Sequence, residues 1–228
     1  MLKHLTCITT TALLCAGSLA AQGTAVPYFS PFEADNGGFV GTFDWQWGTP
    51  TGADGTALGG YGGVEPTNGY SGVKCWGTIL GGLHNPSTIS VLSQTFDLTA
   101  STNTLLLFQE WSESGGNSFD TAEVIVNGTQ LYLSDGNSGT AWRRVALDLS
   151  AYDGMANVQL DFTFSTTSVV ERVGWYIDDV TIGSGVIATG TARGTGCPPD
   201  ADPSGDFVFQ YFSSNTSTDP NDIIGQAI

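Results

Sequence analysis

Gly174-Trp175-Tyr176-Ile177-Asp178-Asp179-Val180-Thr181-Ile182 is the stretch that decides the fold, an aromatic and β-branched run interrupted by two adjacent carboxylates. Alternation along an extended chain puts Trp175, Ile177 and Asp179 on one face and Tyr176, Asp178, Val180 and Ile182 on the other. Both faces are largely apolar, so the run predicts a buried closing strand. The two aspartates then cannot both face water. The inward one needs backbone N–H donors, a cation or a bulge, because an unpaired buried carboxylate costs several kcal/mol or takes up a proton.

Working outward, similar runs recur upstream. Thr88 to Thr95 alternates and ends near Asp97-Leu98, and Leu105 to Trp111 is apolar enough at Leu105-Leu106-Leu107-Phe108 to be buried on both faces. Val124-Ile125-Val126 and Gln130-Leu131-Tyr132-Leu133 flank Asn127-Gly128, which suits a tight type I′ hairpin. Trp142 to Leu149 and Asn157 to Thr166 give two more strands, and Phe39 to Trp47 an opening strand with Gly37 and Gly38 as turn residues. No long amphipathic helix interrupts this series. The fold class is therefore all-β, an antiparallel β-sandwich or jelly roll spanning 32–183, followed by a linker and acidic tail over 184–228.

Composition agrees. Charged residues are only 12% against 31 glycines, a balance that favours strands and turns over helices. The formal charge of −16 repels nucleic acid and anionic lipid, leaving cations and neutral ligands as suitable partners. Residues 1–21 read as a signal peptide: Lys3 and His4 precede the apolar run Leu5 to Leu14, and Ser18-Leu19-Ala20-Ala21 offers small residues for cleavage. Later apolar runs fall short of the ~20 residues needed to span a bilayer. The expectation is a secreted protein with no membrane insertion. Cys7 and Cys15 leave with the signal, so Cys75 and Cys197 are candidates for a disulfide in an oxidising compartment, two free thiols being the alternative.

Gly48 to Gly72 is rich in Gly, Thr, Asn and Pro and reads as a long surface loop, the kind of segment where binding happens. Tyr61 and Tyr70 within it, and Trp76 just beyond it, are the ligand-binding candidates, with most of the tryptophans assigned to the core.

The order of short motifs is also informative. Phe32-Glu33, Trp47-Gly48-Thr49-Pro50, Trp76-Gly77-Thr78-Ile79-Leu80-Gly81-Gly82, Leu92 to Leu98, Trp142 before Val145 to Leu149, and Gly174 to Val180 together resemble a MAM-like jelly roll. The bacterial variety is found in choice-of-anchor secreted proteins and beside immune-inhibitor-A-like metallopeptidases. This resemblance implies a non-catalytic extracellular module for adhesion or recognition of glycan or protein, often with bound calcium. It further implies that the opening Phe-Glu strand lies beside the closing Asp-Asp strand. Glu33, Asp35, Asp178 and Asp179 are then the candidate calcium ligands, since calcium takes about 6 to 8 oxygens. The alternative is that they cap turns and accept backbone amides. In the same domains an acid after the long apolar strand and an aspartate downstream are common, so Glu110 and Asp120 are candidates for a second cation site, against solvated loop charges.

A glycan-cleaving enzyme is the rival reading. Retaining glycosidases need two carboxyl groups about 5 to 5.5 Å apart. The candidates are Glu110, Glu113, Asp120 and Glu123, but Asp120 and Glu123 face opposite ways on a regular strand, and Ser118 stands where a Glu-x-Asp-x-x-Glu strand would carry its first glutamate. His84 is expected in a surface turn, with neither a Gly-x-Ser-x-Gly elbow nor a His-Glu-x-x-His zinc motif to support it. No catalytic residue is assigned. In the tail, Asp200, Asp202, Ser204 and Gly205 resemble a degenerate calcium loop lacking its final acid, Tyr211 standing in that place. Alternatively Phe207, Phe209 and Tyr211 form one face of a strand able to dock on a sheet edge of the same chain or of another copy, which would make this a structural or assembly protein.

Overall fold

The computed structural model describes residues 23–116, 118–190 and 207–212. Its strands are β1 (Thr24–Ala25), β2 (Tyr28–Ser30), β3 (Val40–Gly41), β4 (Trp45–Gly48), β5 (Cys75–Thr78), β6 (Ile89–Asp97), β7 (Thr104–Glu113), β8 (Thr121–Val126), β9 (Thr129–Leu133), β10 (Arg143–Asp148), β11 (Val158–Ser165), β12 (Gly174–Gly190) and β13 (Phe207–Phe212). One turn of 3-10 helix, Ser150–Tyr152, precedes β11. They form two sheets. The first runs β1-β6-β11-β8-β9 with β3 added to β6, and the second runs β10-β7-β12-β5-β4 with β2 and β13 added to β12.

Period-two alternation builds the core between them. Leu92 and Phe96 of β6, Val124 and Val126 of β8, and Leu160, Phe162 and Phe164 of β11 meet Leu106 and Phe108 of β7 and Trp175, Ile177, Val180 and Ile182 of β12. Phe162 sits edge-on to both Phe108, at 5.1 Å, and Trp175, at 5.8 Å, which locks the sheets face to face. Asn127 and Gly128 both take positive φ, 47° and 79°, as the type I′ hairpin between β8 and β9 requires.

The second sheet is covered on its outer face too. Cys75, Val173 and Tyr176 form a small second core with Leu80, Leu83, Trp111 and Trp142, which explains why β7 and β12 lack a simple polar face. The 49–74 segment lies here with an isolated bridge between Asp54 and Val64. Its buried hub is Glu65, whose carboxylate accepts the Thr51, Ala53 and Gly81 amides at 3.0, 3.1 and 2.9 Å.

Four expectations change. Phe39 to Trp47 splits between the sheets, Val40–Gly41 pairing with β6 and Trp45–Gly48 with β5, because the chain turns at Phe43, where φ is 48°. Trp76 belongs to β5 and is core, 5% exposed, with its indole N–H on the Asn36 carbonyl, so it offers no ring to a ligand. His84 is buried rather than in a surface turn, because its backbone pairs with Arg172 and its ring packs edge-on to Phe164 at 5.3 Å. β12 continues past Gly183 to Gly190 and pairs antiparallel with β13, so the tail strand docks on its own chain.

Cys75 is a buried free thiol, while Cys197 lies outside the described residues. The signal peptide and the Asp200 to Gly205 loop lie outside them as well. Among the described residues no helix is long and apolar enough to cross a membrane.

Candidate functional site

The closing strand carries a β-bulge where its two aspartates fall. Pairing with β7 jumps from Asp178↔Gln109 to Thr181↔Leu107, and Asp179 takes a φ of 48°. The extra residue separates the two carboxylates. Asp178 stays on the outer face of the second sheet, buried beneath the 69–74 segment, and its oxygens accept the Ser71 amide at 3.1 Å and the Asp179 amide at 2.8 Å. Asp179 leans to the side and accepts the Ser71 hydroxyl at 2.5 Å.

Glu33 completes the arrangement. β2 pairs with β12 through Ser30↔Val180, which brings the Phe32-Glu33 segment, itself a bend past the end of β2, beside the aspartates. One Glu33 oxygen accepts the Val73 and Lys74 amides at 2.8 and 2.7 Å, and Lys74 Nζ returns a bond to the Glu33 carbonyl at 2.9 Å. Gly69 and Gly72 permit this approach: a Cβ on Gly69 would lie 2.8 Å from Asp178 Oδ2, and one on Gly72 2.3 Å from the Glu33 carboxyl carbon. Two acids, Asp178 and Glu33, thus fasten a glycine-containing loop by its amides, and Asp179 adds a bond from the Ser71 hydroxyl. Asp35 has a different role, accepting the Gly37 amide in an exposed turn.

Burial raises the Asp178 carboxyl to about 7, outweighing the amides of Asp179, Ser71 and Tyr70 that favour its charged form. Burial also raises Asp179, with Glu33 adding to the effect, against the Ser71 hydroxyl and Arg144. Among the described residues no group of three or more His, Cys, Asp or Glu side chains is placed to hold a metal ion together.

Glu110 and Asp120 belong to separate networks. Glu110 is fully buried, and its carboxylate accepts Tyr132 Oη at 2.5 Å, Arg143 Nε at 2.6 Å and the Trp175 indole N–H at 2.9 Å. Its cation is therefore Arg143, which also bonds both oxygens of Asp135. Asp120 accepts the Thr167 amide at 2.8 Å, and its other oxygen faces His84 Nε2 at 3.2 Å, a nitrogen already taken by the Arg172 amide. Sequence reasoning missed Arg143 and Glu65, because nothing in local pattern reveals which residue a buried acid will meet.

Where the fastened loop ends, a groove of about 160 Å³ opens on the outer face of the second sheet. Phe29, Tyr70, Leu107, Gln109, Arg144 and Thr181 line it together with Asp179. Tyr70 is 47% exposed and rests edge-on against Trp142, 6.4 Å away, which in turn meets Trp111 at 6.0 Å. Tyr61 is exposed in the 54–64 part of the loop and does not line this groove.

No family model matches the chain. It is similar to a stretch of bacillopeptidase F from Bacillus subtilis. The two are 29% identical over 165 residues, 68% of this chain but only 10% of that protein, so the chain spans about a tenth of its relative's length. Among solved structures, TmCBM61 in complex with β-1,4-galactotriose aligns over 64% of this chain and 86% of its own, with 12% identity and a TM-score of 0.42. The CBM22-1 xylan-binding domain of Paenibacillus barcinonensis Xyn10C aligns over 72% and 97%, with 14% identity and a TM-score of 0.43. The K1 cleaved adhesin domain of Lys-gingipain from Porphyromonas gingivalis W83 aligns over 68% and 96%, with 13% identity and a TM-score of 0.39.

Proposed function

We propose that this chain is an exported, non-catalytic recognition module, MAM-like in its strand order, that binds extracellular glycan or protein on the outer face of its second sheet. The observation that carries the reading is the groove beside Tyr70, formed where the acid-fastened loop meets exposed sheet. The four candidate acids of a glycosidase are otherwise engaged: Glu110 is neutralised within the protein by Arg143, Asp120 accepts the Thr167 amide, Glu113 the Thr140 amide and Glu123 the Gln130 side-chain amide. In this reading Glu33, Asp178 and Asp179 hold the loop through amides and a hydroxyl. The similarity to a tenth of bacillopeptidase F supports an accessory piece of a larger architecture, not the activity of the whole.

The test is to apply purified protein to arrays of glycans and of extracellular proteins, and to assay the bound sugars for cleavage. Retention without product is the expected result. Release of shortened sugars would overturn the non-catalytic reading.

A further inference from the structure

We infer that the groove is a subsite for one ring of a neutral glycan, held by Arg144, Gln109, Asp179 and Thr181 between the side chains of Tyr70 and Phe29. The inference rests on the recognition reading above and gives it a ligand class and a place.

Sheet register assembles the polar floor. Arg144 of β10 is the direct cross-strand partner of Gln109 of β7, and Gln109 is paired on its other side with Asp178 of β12. Thr181 follows the bulge, paired with Leu107 on one side and with Phe29 of β2 on the other. The bulge leans Asp179 toward the groove, beside Arg144. Neighbouring outward positions on four strands therefore converge on one depression.

These groups have hydrogen-bonding capacity to spare. Gln109 is only 6% exposed and lines the groove, yet none of the described residues bonds its side-chain amide. Arg144 and the Thr181 hydroxyl also carry no side-chain hydrogen bond among the described residues, and Asp179 has one oxygen on Ser71 and the other uncommitted. Among the described residues the Gln109 amide is not one of the buried polar groups left without a partner, so water reaches it in the open groove and a ligand hydroxyl can take that water's place.

Three properties select its class. The set both donates, through Arg144 and the Gln109 amide, and accepts, through Asp179 and the Gln109 carbonyl. A carboxylate or phosphate only accepts and an ammonium only donates, whereas a pair of adjacent hydroxyls does both. Charge points the same way: Asp179 offsets Arg144 locally, and a net −16 repels anions at longer range. Size is the third. A water occupies about 30 Å³ of liquid, so the groove displaces on the order of five waters, about the polar complement of one sugar ring and well short of the ~300 Å³ where drug-sized pockets begin. Phe29, 61% exposed, and Tyr70, 47% exposed, supply apolar surfaces for the C–H faces of such a ring.

The experiment titrates gluco-, galacto-, manno- and xylo-oligosaccharides, and oligouronates as the anionic counterpart, against the wild type, Gln109→Leu, Arg144→Met, Tyr70→Ala and, exposed on the first sheet away from the groove, Ile89→Ala. Melting curves verify that each variant is folded, and Arg144→Met stands in if Gln109→Leu is not. At least one neutral series is expected to bind and the uronates to bind about tenfold more weakly. Each groove substitution is expected to lose about tenfold or more, and Ile89→Ala to leave affinity unchanged. Sugar binding indifferent to the groove substitutions would overturn the subsite while leaving the recognition reading intact. Binding of uronates alone would overturn the neutral class. Capture of proteins but no sugar on the arrays would overturn the glycan assignment, and capture of neither would overturn the recognition reading with it.

Discussion

The Asp178 carboxylate accepts the backbone amide of Ser71 at 3.1 Å, tying the closing strand to a loop that precedes it by 107 positions. That bond and the two from Val73 and Lys74 to Glu33 fix the segment on which Tyr70 stands. A loop of small polar residues pays heavily in backbone entropy when ordered, on the order of 1 kcal/mol per residue. The Glu33 carboxylate, which accepts two of these amides, offsets part of that cost, since hydrogen bonds to charged groups contribute about 1.5–3 kcal/mol each.

Gly72→Ala is expected to loosen this fastening. Gly72 has a φ of 69°, and a Cβ there would sit 2.6 Å from Glu33 Oε1. The backbone conformation and the clash together should cost about 1–3 kcal/mol. Chemical denaturation reads the loss, and ligand affinity should fall with it through Tyr70.

Stability should depend on pH through Asp178. Its folded carboxyl is raised to about 7, so between about pH 4, where the unfolded side chain ionises, and pH 7 the folded state holds the extra proton. Stability from this group is full at the acid end and is lost as pH rises through 7. Asp135, lowered chiefly by its bond to Arg143, works in the opposite sense, its contribution being lost on acidification. The difference between wild type and Asp178→Asn isolates the first effect, and unfolding free energies from pH 4 to 8 should show a flatter profile for the variant.

Arg143→Met should destabilise the sandwich by about 3–5 kcal/mol, because it strands the buried Glu110 carboxylate. Adding Glu110→Gln should recover part of the loss, and a thermal double-mutant cycle measures the coupling.

How much of this was legible in the sequence depends on the range of the interaction. The alternation in β6, the double-faced apolar run of β7 and the Asn127-Gly128 hairpin are local, and strand positions followed from them. Asp178 and Asp179 declared a conflict that needed amides, an ion or a bulge, and the fold uses both amides and a bulge. The donors themselves, Ser71, Val73 and Lys74, carry no side-chain signal for that role, because they act through the backbone. Trp76 and His84 were misplaced for a related reason: neighbouring glycines suggested exposed turns, whereas pairing with distant segments buries both. The Arg144–Gln109 juxtaposition depends on cross-strand register, which composition does not encode.

Chelation offers a further check. With Glu33, Asp178 and Asp179 already bonded to protein donors, treatment with a calcium chelator should leave the melting temperature unchanged. A fall on chelation, reversed by added calcium, would give the ion a share in holding the loop.

Amide hydrogen exchange at Ser71, Val73 and Lys74 is the most direct measure of whether the acids hold the loop that walls the groove. Slow exchange at all three is expected in the wild type, with protection lost at Val73 and Lys74 in Glu33→Ala and weakened at Ser71 in Asp178→Asn. Exchange at the unprotected rate in the wild type, or protection untouched by both substitutions, would contradict the account.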